Sequence, residues 1–361
     1  MGNYKKVTSK DVARLAGVSQ STVSMVLNNS ETASFSEGTV QRVFTAAKEL
    51  GYSVGRKRSK IRTPDGFGIL LIVCPSVTNP YYASIVHTIA FYAQAQGLLP
   101  MFFDTFRDPR NESRVAEAVK NLSVSGLICL GAPAMPDAVY HLAQQVPMVI
   151  IDDKQDNPCA DLIELDGVKV GTVMGRHLLS LGHRTAAYLS PSLKDPRAPQ
   201  NRRLEGLRAA WAEAGLPPDQ VVAFDAEDDL LPGRTGSDEY MAGFRLSRRA
   251  AEHPGITAMA GFNDMVAYGI LDSLLDLGYH IPQDYSVCGC DNILFSNMRG
   301  VGLTTVEHFA AEKARDAVDI LVRRMGMGAE GETPPRTHRV EYEPQLIVRS
   351  STGASRPADG K

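Results

Sequence analysis

The chain has 361 residues, of which 43% are hydrophobic and 22% are charged, and its formal net charge is −3. This length predicts two or three domains, and the composition is that of an ordinary globular protein. No apolar run approaches the roughly 18 residues of a membrane span, and no apolar signal core follows the polar N-terminus, so we expect a cytoplasmic protein without a membrane partner.

Residues 7–28 predict two short helices joined by a tight turn. Thr8 and Asp11 have the spacing of a capping box, Gly17 can take the left-handed conformation that ends a helix, and Ser19 is placed to cap the second helix. Each helix has an apolar face, formed by Val12, Leu15 and Ala16 in the first and by Val23, Val26 and Leu27 in the second. This pattern is a helix-turn-helix, whose second helix can lie in the DNA major groove.

The charge distribution favours the same interpretation over an unrelated helical hairpin. Residues 1–62 contain eleven Lys or Arg and four acids, a net charge of +7, so residues 63–361 sum to −10. A third helix is predicted from Ser36, its cap, to Leu50. A basic, three-helix N-terminus on an acidic body concentrates the polyanion-binding surface in one place.

The remainder of the chain is predicted to be α/β. Residues 53–66 carry five cations and a Pro-Asp-Gly turn, which is typical of a linker. Two series of strands follow, at 68–74, 98–104, 126–130 and 148–151, and at 185–189, 220–224, 257–261 and 285–290. Helices are predicted between them, ending at Gln96 and spanning 111–122, 136–145, 168–181, 201–214, 238–252 and 264–277. Strict alternation predicts two doubly wound lobes with parallel sheets, which bind ligands at the carboxyl ends of their strands, and a disordered tail over 351–361.

The five cysteines are odd in number and dispersed. Four of them lie in strand-like apolar segments and are predicted to be buried hydrophobes: Cys74, Cys129, Cys288 and Cys290. The spacing of Cys288 and Cys290 could suggest a metal or redox site, but no second Cys/His pair at ligand spacing accompanies it. We therefore predict neither a metal nor a cofactor.

Several motifs, in order along nearly the whole chain, resemble the lactose-repressor (LacI/GalR) family of bacterial transcription regulators. They are the helix-turn-helix, Ala46-Ala47-Lys48-Glu49-Leu50-Gly51-Tyr52, Asn79-Pro80-Tyr81-Tyr82, Ser125-Gly126-Leu127-Ile128, residues 177–184, Arg203-Leu204-Glu205-Gly206, Phe262-Asn263-Asp264, residues 284–291 and Leu303-Thr304-Thr305-Val306. Ser125 replaces the acidic residue that is usual in the family.

The resemblance implies a domain plan. It consists of a helix-turn-helix headpiece over 1–52, a hinge over 53–66 that becomes helical on operator DNA, and an effector-binding core over 67–350 like that of periplasmic sugar-binding proteins. We assign 67–165 and 292–325 to the first lobe, and 166–291 and 326–350 to the second. The family also implies a homodimer, because two headpieces read a pseudo-palindromic site. No apolar heptad repeat follows Arg349, which favours a dimer over a tetramer.

The predicted base contacts open the second helix. Gln20 can pair bidentately with adenine, and Ser21 can hydrogen-bond to different bases. Met25 cannot donate a hydrogen bond, and two interpretations of it stand, contact with a thymine methyl group and packing in the headpiece core. Other polar side chains are predicted to cap helices or contact phosphates, namely Thr8, Ser19, Thr22, Ser24 and Asn28.

The hinge departs from the family pattern. Ile61 matches the family's leucine, which wedges into the minor groove and kinks the operator. Arg58 replaces a small alanine, which puts close packing of two hinge helices in question. Arg56, Lys57 and Lys60 are predicted to contact phosphates, and the alternative is that this segment is only a solvated linker.

The cleft residues follow from the resemblance, motif by motif. Tyr81 and Tyr82 match an aromatic position that stacks on the ligand in the purine-repressor branch and packs on a pyranose face in sugar-responsive relatives. Carboxylates at Asp152 and Asp291 can accept hydrogen bonds from sugar hydroxyls or ring nitrogens. Three further residues are assigned to the effector: Arg197, Arg203 and Asn263.

Three neighbouring features receive structural interpretations. Asp264 is predicted to be a helix N-cap, and Trp211 to belong to the core. The loop 225–238 is either a lid or disordered.

The sequence disfavours two other classes of function. An enzyme is disfavoured because the chain lacks a phosphate loop and the G-x-S-x-G, H-E-x-x-H and G-x-G-x-x-G motifs. A transport binding protein is disfavoured by the basic headpiece and the missing signal peptide. We predict a transcriptional regulator, a repressor, controlled by a small molecule that is a sugar or sugar derivative, with a nucleobase or nucleoside as the alternative.

Overall fold

The computed structural model describes residues 8–27, 35–50, 68–131, 142–143, 145–152, 154, 160–195, 198–226, 236–327 and 337–356. The chain divides into two compact units, one within residues 1–60 and one within 61–361. The predicted hinge and most of the predicted helix 136–145 and of the loop 225–238 lie outside the described residues, as do Cys159 and Arg197.

The first unit contains three helices, α1 (Ser9–Ala16), α2 (Gln20–Leu27) and α3 (Glu37–Glu49). The predicted caps are confirmed. The backbone N–H and the hydroxyl of Thr8 donate to Asp11 Oδ2 at 2.9 and 2.7 Å, and Ser19 Oγ accepts from the Thr22 N–H at 3.0 Å. Gly17 is left-handed, with φ 67° and ψ 37°. These local hydrogen bonds fix where each helix begins and ends.

One small core holds the three helices together. Its buried members are Val12, Ala13, Ala16, Val23, Val26, Val43, Ala46 and Ala47. The prediction that Leu15 belongs to this face is wrong, since Leu15 is 51% exposed. Ala13 occupies the core instead, because positions 12, 13 and 16 form the buried stripe of this short helix.

The first sheet of the second unit has six parallel strands. They are β1 (Gly68–Cys74), β2 (Leu98–Asp104), β3 (Gly126–Leu130), β4 (Met148–Asp152), β5 (Asp161–Leu165) and β11 (Arg339–Tyr342), in the order β11-β5-β4-β3-β1-β2. The helices α4 (Pro80–Ala95) and α10 (Ala310–Met327) supply side chains to one core cluster, and α5 (Pro109–Asn121) to another. Apart from β2 and β11, these strands are almost wholly buried, which is why they read as continuous apolar runs.

The second sheet repeats the plan. Its strands are β6 (Ala186–Ser190), β7 (Val221–Asp225), β8 (Ala258–Gly261), β9 (Ser286–Asp291), β10 (Thr304–Glu307) and β12 (Gln345–Ile347), in the order β12-β10-β9-β8-β6-β7, with β12 antiparallel. The helices are α6 (Gly167–Ser180), α7 (Pro199–Glu213), α8 (Gly236–Ala251) and α9 (Asp264–Asp276). Trp211 of α7 is fully buried, as predicted, and its indole N–H donates to the Arg184 carbonyl at 2.7 Å.

Two segments lie in the opposite lobe from the one predicted. β10 pairs with β9 in the second sheet, whereas β11 pairs with β5 in the first. The described elements therefore place three crossings between the lobes, at Asp166, at His308–Phe309 and at Glu343–Pro344. Short strands of three or four residues carry too little pattern to show which sheet they join.

The predicted disorder of the tail is wrong for residues 351–356, and 357–361 lie outside the described residues. Ser351 is buried, and its hydroxyl donates to the Val287 carbonyl at 2.6 Å. The Ser355 N–H donates to the Leu181 carbonyl at 2.8 Å. The polar composition of this segment predicts a solvent-exposed tail. Its small polar residues instead form hydrogen bonds with the second lobe.

A buried histidine anchors the same segment. His183 is 1% exposed; its Nε2 lies 2.9 Å from Ser286 Oγ and 3.2 Å from the Gly353 carbonyl oxygen, and its Nδ1 lies 2.8 Å from Thr257 Oγ1. Because a carbonyl oxygen only accepts, Nε2 carries the proton. Burial lowers the pKa of His183 to about 4, so the ring is neutral at pH 7.

We expect acid to weaken the second lobe through His183. A pKa of about 4 in the folded state against 6.5 unfolded stabilises the fold fully above pH 6.5, and this contribution is lost as the pH falls toward 4. The loss amounts to on the order of 3 kcal/mol. Urea titrations at pH 7 and pH 4.5, followed by the fluorescence of the single Trp211, measure it. His183→Gln is expected to be less stable at pH 7 and less sensitive to acid, and equal pH dependence in both proteins would contradict the assignment.

The helices α6 and α7 touch backbone to backbone. A Cβ on Gly206 would overlap the carbonyl oxygen of Val168, and a Cβ on Gly171 would overlap that of Arg203. Only glycine permits this approach at either position. Among the described residues, no helix is long and apolar enough to cross a membrane.

Candidate functional sites: an interlobe cavity and a recognition helix

The strand order reverses beside β1 in the first sheet and beside β6 in the second, and ligands bind outside the carboxyl ends of strands at such points. A cavity of about 60 Å³ lies there, between the lobes. Its described lining residues are Asn79, Tyr81, Tyr82, Ile85, Arg107, Leu130, Gly131, Ile151, Asp152, Leu165, Pro199, Arg203, Phe262, Asn263, Asp291 and His308. Six of the seven predicted effector residues are among them, and the seventh, Arg197, lies outside the described residues.

The start of α4 supplies two aromatic rings. Asn79 is its N-cap, and its Oδ1 accepts from the Tyr81 N–H at 2.9 Å, while Pro80 occupies the first turn, where its missing N–H costs nothing. The rings of Tyr81 and Tyr82 meet edge to face at 5.2 Å. Both hydroxyls stay protonated, because burial raises the pKa of each tyrosine.

Arg203, on α7 of the second lobe, contacts His308, where the chain crosses between the lobes. Its Nη1 donates to the Phe262 carbonyl at 2.5 Å, and its Nη2 lies 3.2 Å from His308 Nε2. A guanidinium only donates, so Nε2 accepts and Nδ1 of His308 donates to the Tyr81 hydroxyl at 2.6 Å. Burial, with Lys313 and Arg203 nearby, lowers the pKa of His308 well below its usual range. The chain Arg203–His308–Tyr81 thus joins the two lobes through a neutral imidazole.

Two carboxyl groups face the cavity from strand ends, Asp152 from β4 and Asp291 from β9. Asp291 is 6% exposed, and burial followed by the nearby Asp264 raises its pKa well above the usual range. Lys313 is fully buried close by, and burial lowers its pKa to about 8. Acidic and basic side chains therefore lie close together in this wall.

The prediction that Asp264 caps α9 is wrong. Asn263 is the N-cap, and its Oδ1 accepts from the Val266 N–H at 3.0 Å. Asp264 is fully buried and accepts from the Ser296 and Thr305 hydroxyls, each at 2.5 Å, and from the Ile293 N–H at 3.2 Å. Burial raises its pKa to about 6. Asp264, the first residue of α9, therefore ties this helix to β10 and lies one position after the N-cap.

Sequence reasoning missed four residues of the cavity region. Arg107 follows β2, and its Nη2 donates to Glu239 Oε1 at 2.8 Å. Asn79 and His308 line the cavity, and Glu239 lies directly behind it. Asn79 stands in the Asn-Pro-Tyr-Tyr motif and could have been found there, but the other three have no local signal.

One group of possible metal ligands exists among the described residues, Cys290, Asp291 and His308, whose ligand atoms lie within 4.8 Å of one another. Both nitrogens of His308 already face Tyr81 and Arg203. The positive charges of Arg203 and Lys313 also oppose a cation here. The group does not suit a metal, and all four described cysteines are buried free thiols.

The recognition helix α2 presents polar side chains to solvent. Gln20 and Ser21 are exposed, Gln20 Nε2 donates to Ser9 Oγ at 2.9 Å, and the hydroxyls of Ser19 and Ser21 lie 2.7 Å apart. Met25 is half-buried, which is compatible with either predicted role. The remaining predicted DNA contacts fall outside what the structure describes, either wholly or for their side chains: Ser24, Asn28, Arg56, Lys57, Lys60 and Ile61.

Both units of the chain are similar to known proteins. Residues 8–54 match the model of bacterial regulatory proteins of the lacI family, and 176–352 match a periplasmic binding protein-like domain. The HTH-type transcriptional regulator DegA of Bacillus subtilis is 30% identical over 357 residues, covering 96% of this chain and 98% of DegA. The HTH-type transcriptional repressor PurR of Mannheimia succiniciproducens is 30% identical over 348 residues, covering 95% and 98%.

A solved structure shares the fold of the core. It is a LacI family transcriptional regulator from Enterococcus faecium with bound ribose, with a TM-score of 0.66 and 23% identity, covering 80% of this chain and 100% of that one.

A helix-turn-helix followed by a two-lobed, periplasmic-binding-protein-like core defines a ligand-responsive transcriptional regulator. The chain belongs to the lacI family of bacterial regulatory proteins. It is a DNA-binding regulator with an effector-binding domain, and the relatives named above are transcriptional regulators.

Proposed function

We propose that this protein is a repressor that binds operator DNA as a homodimer, and that a neutral, single-ring sugar bound between the lobes controls its affinity for the operator. One observation carries the proposal. Aromatic, carboxylate and guanidinium side chains from both lobes, at Tyr81, Tyr82, Asp152, Arg203 and Asp291, line a single cavity.

The size of the cavity supports a small ligand. A volume of about 60 Å³ corresponds to about four to six waters, because one water needs roughly 10–15 Å³ on this measure. The same waters occupy about 120–180 Å³ of liquid, which is the scale of one sugar ring or one nucleobase. Rings that pack on a pyranose face, with carboxylates that accept from hydroxyls, favour the sugar.

A nucleobase is the second candidate, because Tyr81 and Tyr82 can also stack on a planar ring and the relatives include a purine-type repressor by name. A thermal-shift screen of the full chain with pentoses, hexoses, sugar phosphates and nucleobases separates the two. Ligand binding to the folded state raises the melting temperature. We expect a free sugar to raise the melting temperature most. A shift with nucleobases alone would mean that the effector is a nucleobase and not a sugar.

Exposed apolar side chains support the homodimer. Among the described strands, β2 lies at the edge of its sheet and pairs with β1 alone, and it leaves Leu99, Met101 and Phe102 at 44, 39 and 58% exposed. In the second lobe, Leu294 is 82% and Met298 51% exposed. An apolar edge strand invites pairing, and a second copy of the chain is the partner that the two-headpiece model supplies. Sedimentation equilibrium of the full chain tests this, and a monomer at micromolar concentration would contradict it.

The hinge prediction has a clear electrostatic test. Removing one phosphate contact reduces the slope of log affinity against log salt by about one unit, on specific and scrambled DNA alike. We expect this result for Arg56→Ala and for Lys57→Ala. Ile61→Ala should instead weaken operator binding more than scrambled-duplex binding, because a wedge stabilises only the kinked operator. Fluorescence anisotropy at several salt concentrations measures both, and equal losses on both duplexes for Ile61→Ala would reduce the hinge to an electrostatic tether.

A further inference from the structure

Glu239 is a buried carboxylate behind the interlobe cavity. It lies in the first turn of α8, in the second lobe, and is 5% exposed. Its Oε1 accepts from Arg107 Nη2 at 2.8 Å, and its Oε2 accepts from Asn79 Nδ2 at 2.7 Å and from Asn263 Nδ2 at 2.8 Å. A carboxylate this deeply buried needs such donors, since an unpaired charge in the interior is strongly destabilising.

The three donors come from different lobes. Asn79 precedes α4 and Arg107 follows β2, both in the first lobe, whereas Asn263 is the N-cap of α9 in the second. Separation of the lobes would take two donors away from Glu239 and leave it with Asn263 alone. The carboxylate therefore favours the arrangement in which the lobes meet.

Each donor is also part of the cavity wall. Asn79 caps the helix that presents Tyr81 and Tyr82, and the Arg107 guanidinium lies 6.0 Å from the centre of the Tyr82 ring. Phe106 and Arg107 both have positive φ, 53° and 54°. Such conformations are uncommon for residues other than glycine and persist where the surroundings hold them.

We propose that Glu239 is a positioning residue that latches the two lobes together through protein groups alone. It holds Arg107 and Asn79 of the first lobe against Asn263 of the second. In this way it sets the fraction of ligand-free molecules in which the cavity wall is assembled. A larger fraction gives a higher apparent affinity for the ligand. The latch does not depend on which ligand the protein recognises.

Hydrogen exchange of the ligand-free, full-length protein, read by mass spectrometry, tests the latch. For Glu239→Ala, we expect exchange at least about tenfold faster in first-lobe peptides covering 76–84 and 104–109, because more than one charge-assisted hydrogen bond is lost. Peptides in β3 and β4, away from the latch, should be unchanged. Glu239→Gln keeps the size but offers one acceptor oxygen, and we expect an intermediate increase.

Glu205→Ala is the matched control, because it removes an exposed acid from the same lobe and should change neither peptide. Faster exchange confined to α8 and the start of α9 would overturn the proposal, since Glu239 would then only support its own lobe. Unchanged exchange in every peptide would overturn it as well.

A second variant approaches the latch from the first lobe. Arg107→Met removes the ion pair from a half-buried loop position and leaves Glu239 in place. It should accelerate exchange in the same peptides even if Glu239→Ala does not fold. The double variant should open no further than the more open single variant, because Glu239→Ala already breaks the ion pair that Arg107→Met removes. Additive effects would contradict a shared latch.

Discussion

Gly206→Ala is expected to destabilise the second lobe by more than about 3 kcal/mol, at or beyond the upper end of ordinary overpacking. The added methyl group would meet the backbone of α6 at Val168, and backbone cannot rotate away as a side chain can. Restoring ordinary contact requires α6 and α7 to separate along a surface that includes Trp211. Urea unfolding followed by tryptophan fluorescence and circular dichroism measures the loss.

Gly326→Ala is the matched control, since Gly326 lies in a helix and its added Cβ meets nothing within 4 Å. Alanine there should stabilise the protein by up to about 1 kcal/mol through helix propensity. Wild-type stability in Gly206→Ala would mean that the two helices do not touch as described.

Asp291→Asn is expected to weaken effector binding about 10- to 100-fold while stabilising the ligand-free protein. Affinity falls because a carboxylate that accepts from the ligand becomes an amide, which accepts less strongly. Stability rises because the folded state, by raising the pKa of Asp291, disfavours its charged form. A raised carboxyl pKa means that stability is lost as the pH rises through the folded value, and the neutral asparagine removes this loss.

The two effects are measured separately, the first by calorimetric titration with the ligand that the thermal-shift screen identifies, the second by melting without ligand at pH 7. Asp219→Asn, at an exposed position of the same lobe, should change neither. Unchanged effector affinity in Asp291→Asn would remove Asp291 from the ligand site. A lower melting temperature would show that its charge supports the fold.

The parts of this molecule that local chemistry determines are predictable from sequence. Thr8 with Asp11, Gly17, and Ser19 with Thr22 interact within three residues, so their spacing alone determines where helices begin and end. The alternation of apolar strands with amphipathic helices likewise predicts two doubly wound lobes. The cavity residues Asp152 and Asp291 follow from the family resemblance, and both lie at the carboxyl ends of parallel strands, where ligands bind in such folds.

The remaining parts depend on contacts between distant segments. Arg107 and Glu239 are 132 residues apart, and nothing near either residue in sequence announces the pair. The exchange of β10 and β11 between lobes has the same origin, because a strand of four residues is compatible with either sheet. Asp264 shows a finer limit, since the adjacent Asn263 is an equally good cap and only the tertiary fold decides between them.

The three passages of the chain between the lobes constrain how the lobes can move. A single connection would let the lobes rotate about several axes. Three adjacent connections act together as a hinge, which permits opening and closing about one axis and resists twisting and sliding. His308 lies in one of these connections and contacts Tyr81 of the first lobe and Arg203 of the second. The width of the ligand in the cleft would then set the angle at which the lobes close. Ligands of different width would hold the two lobes at different angles.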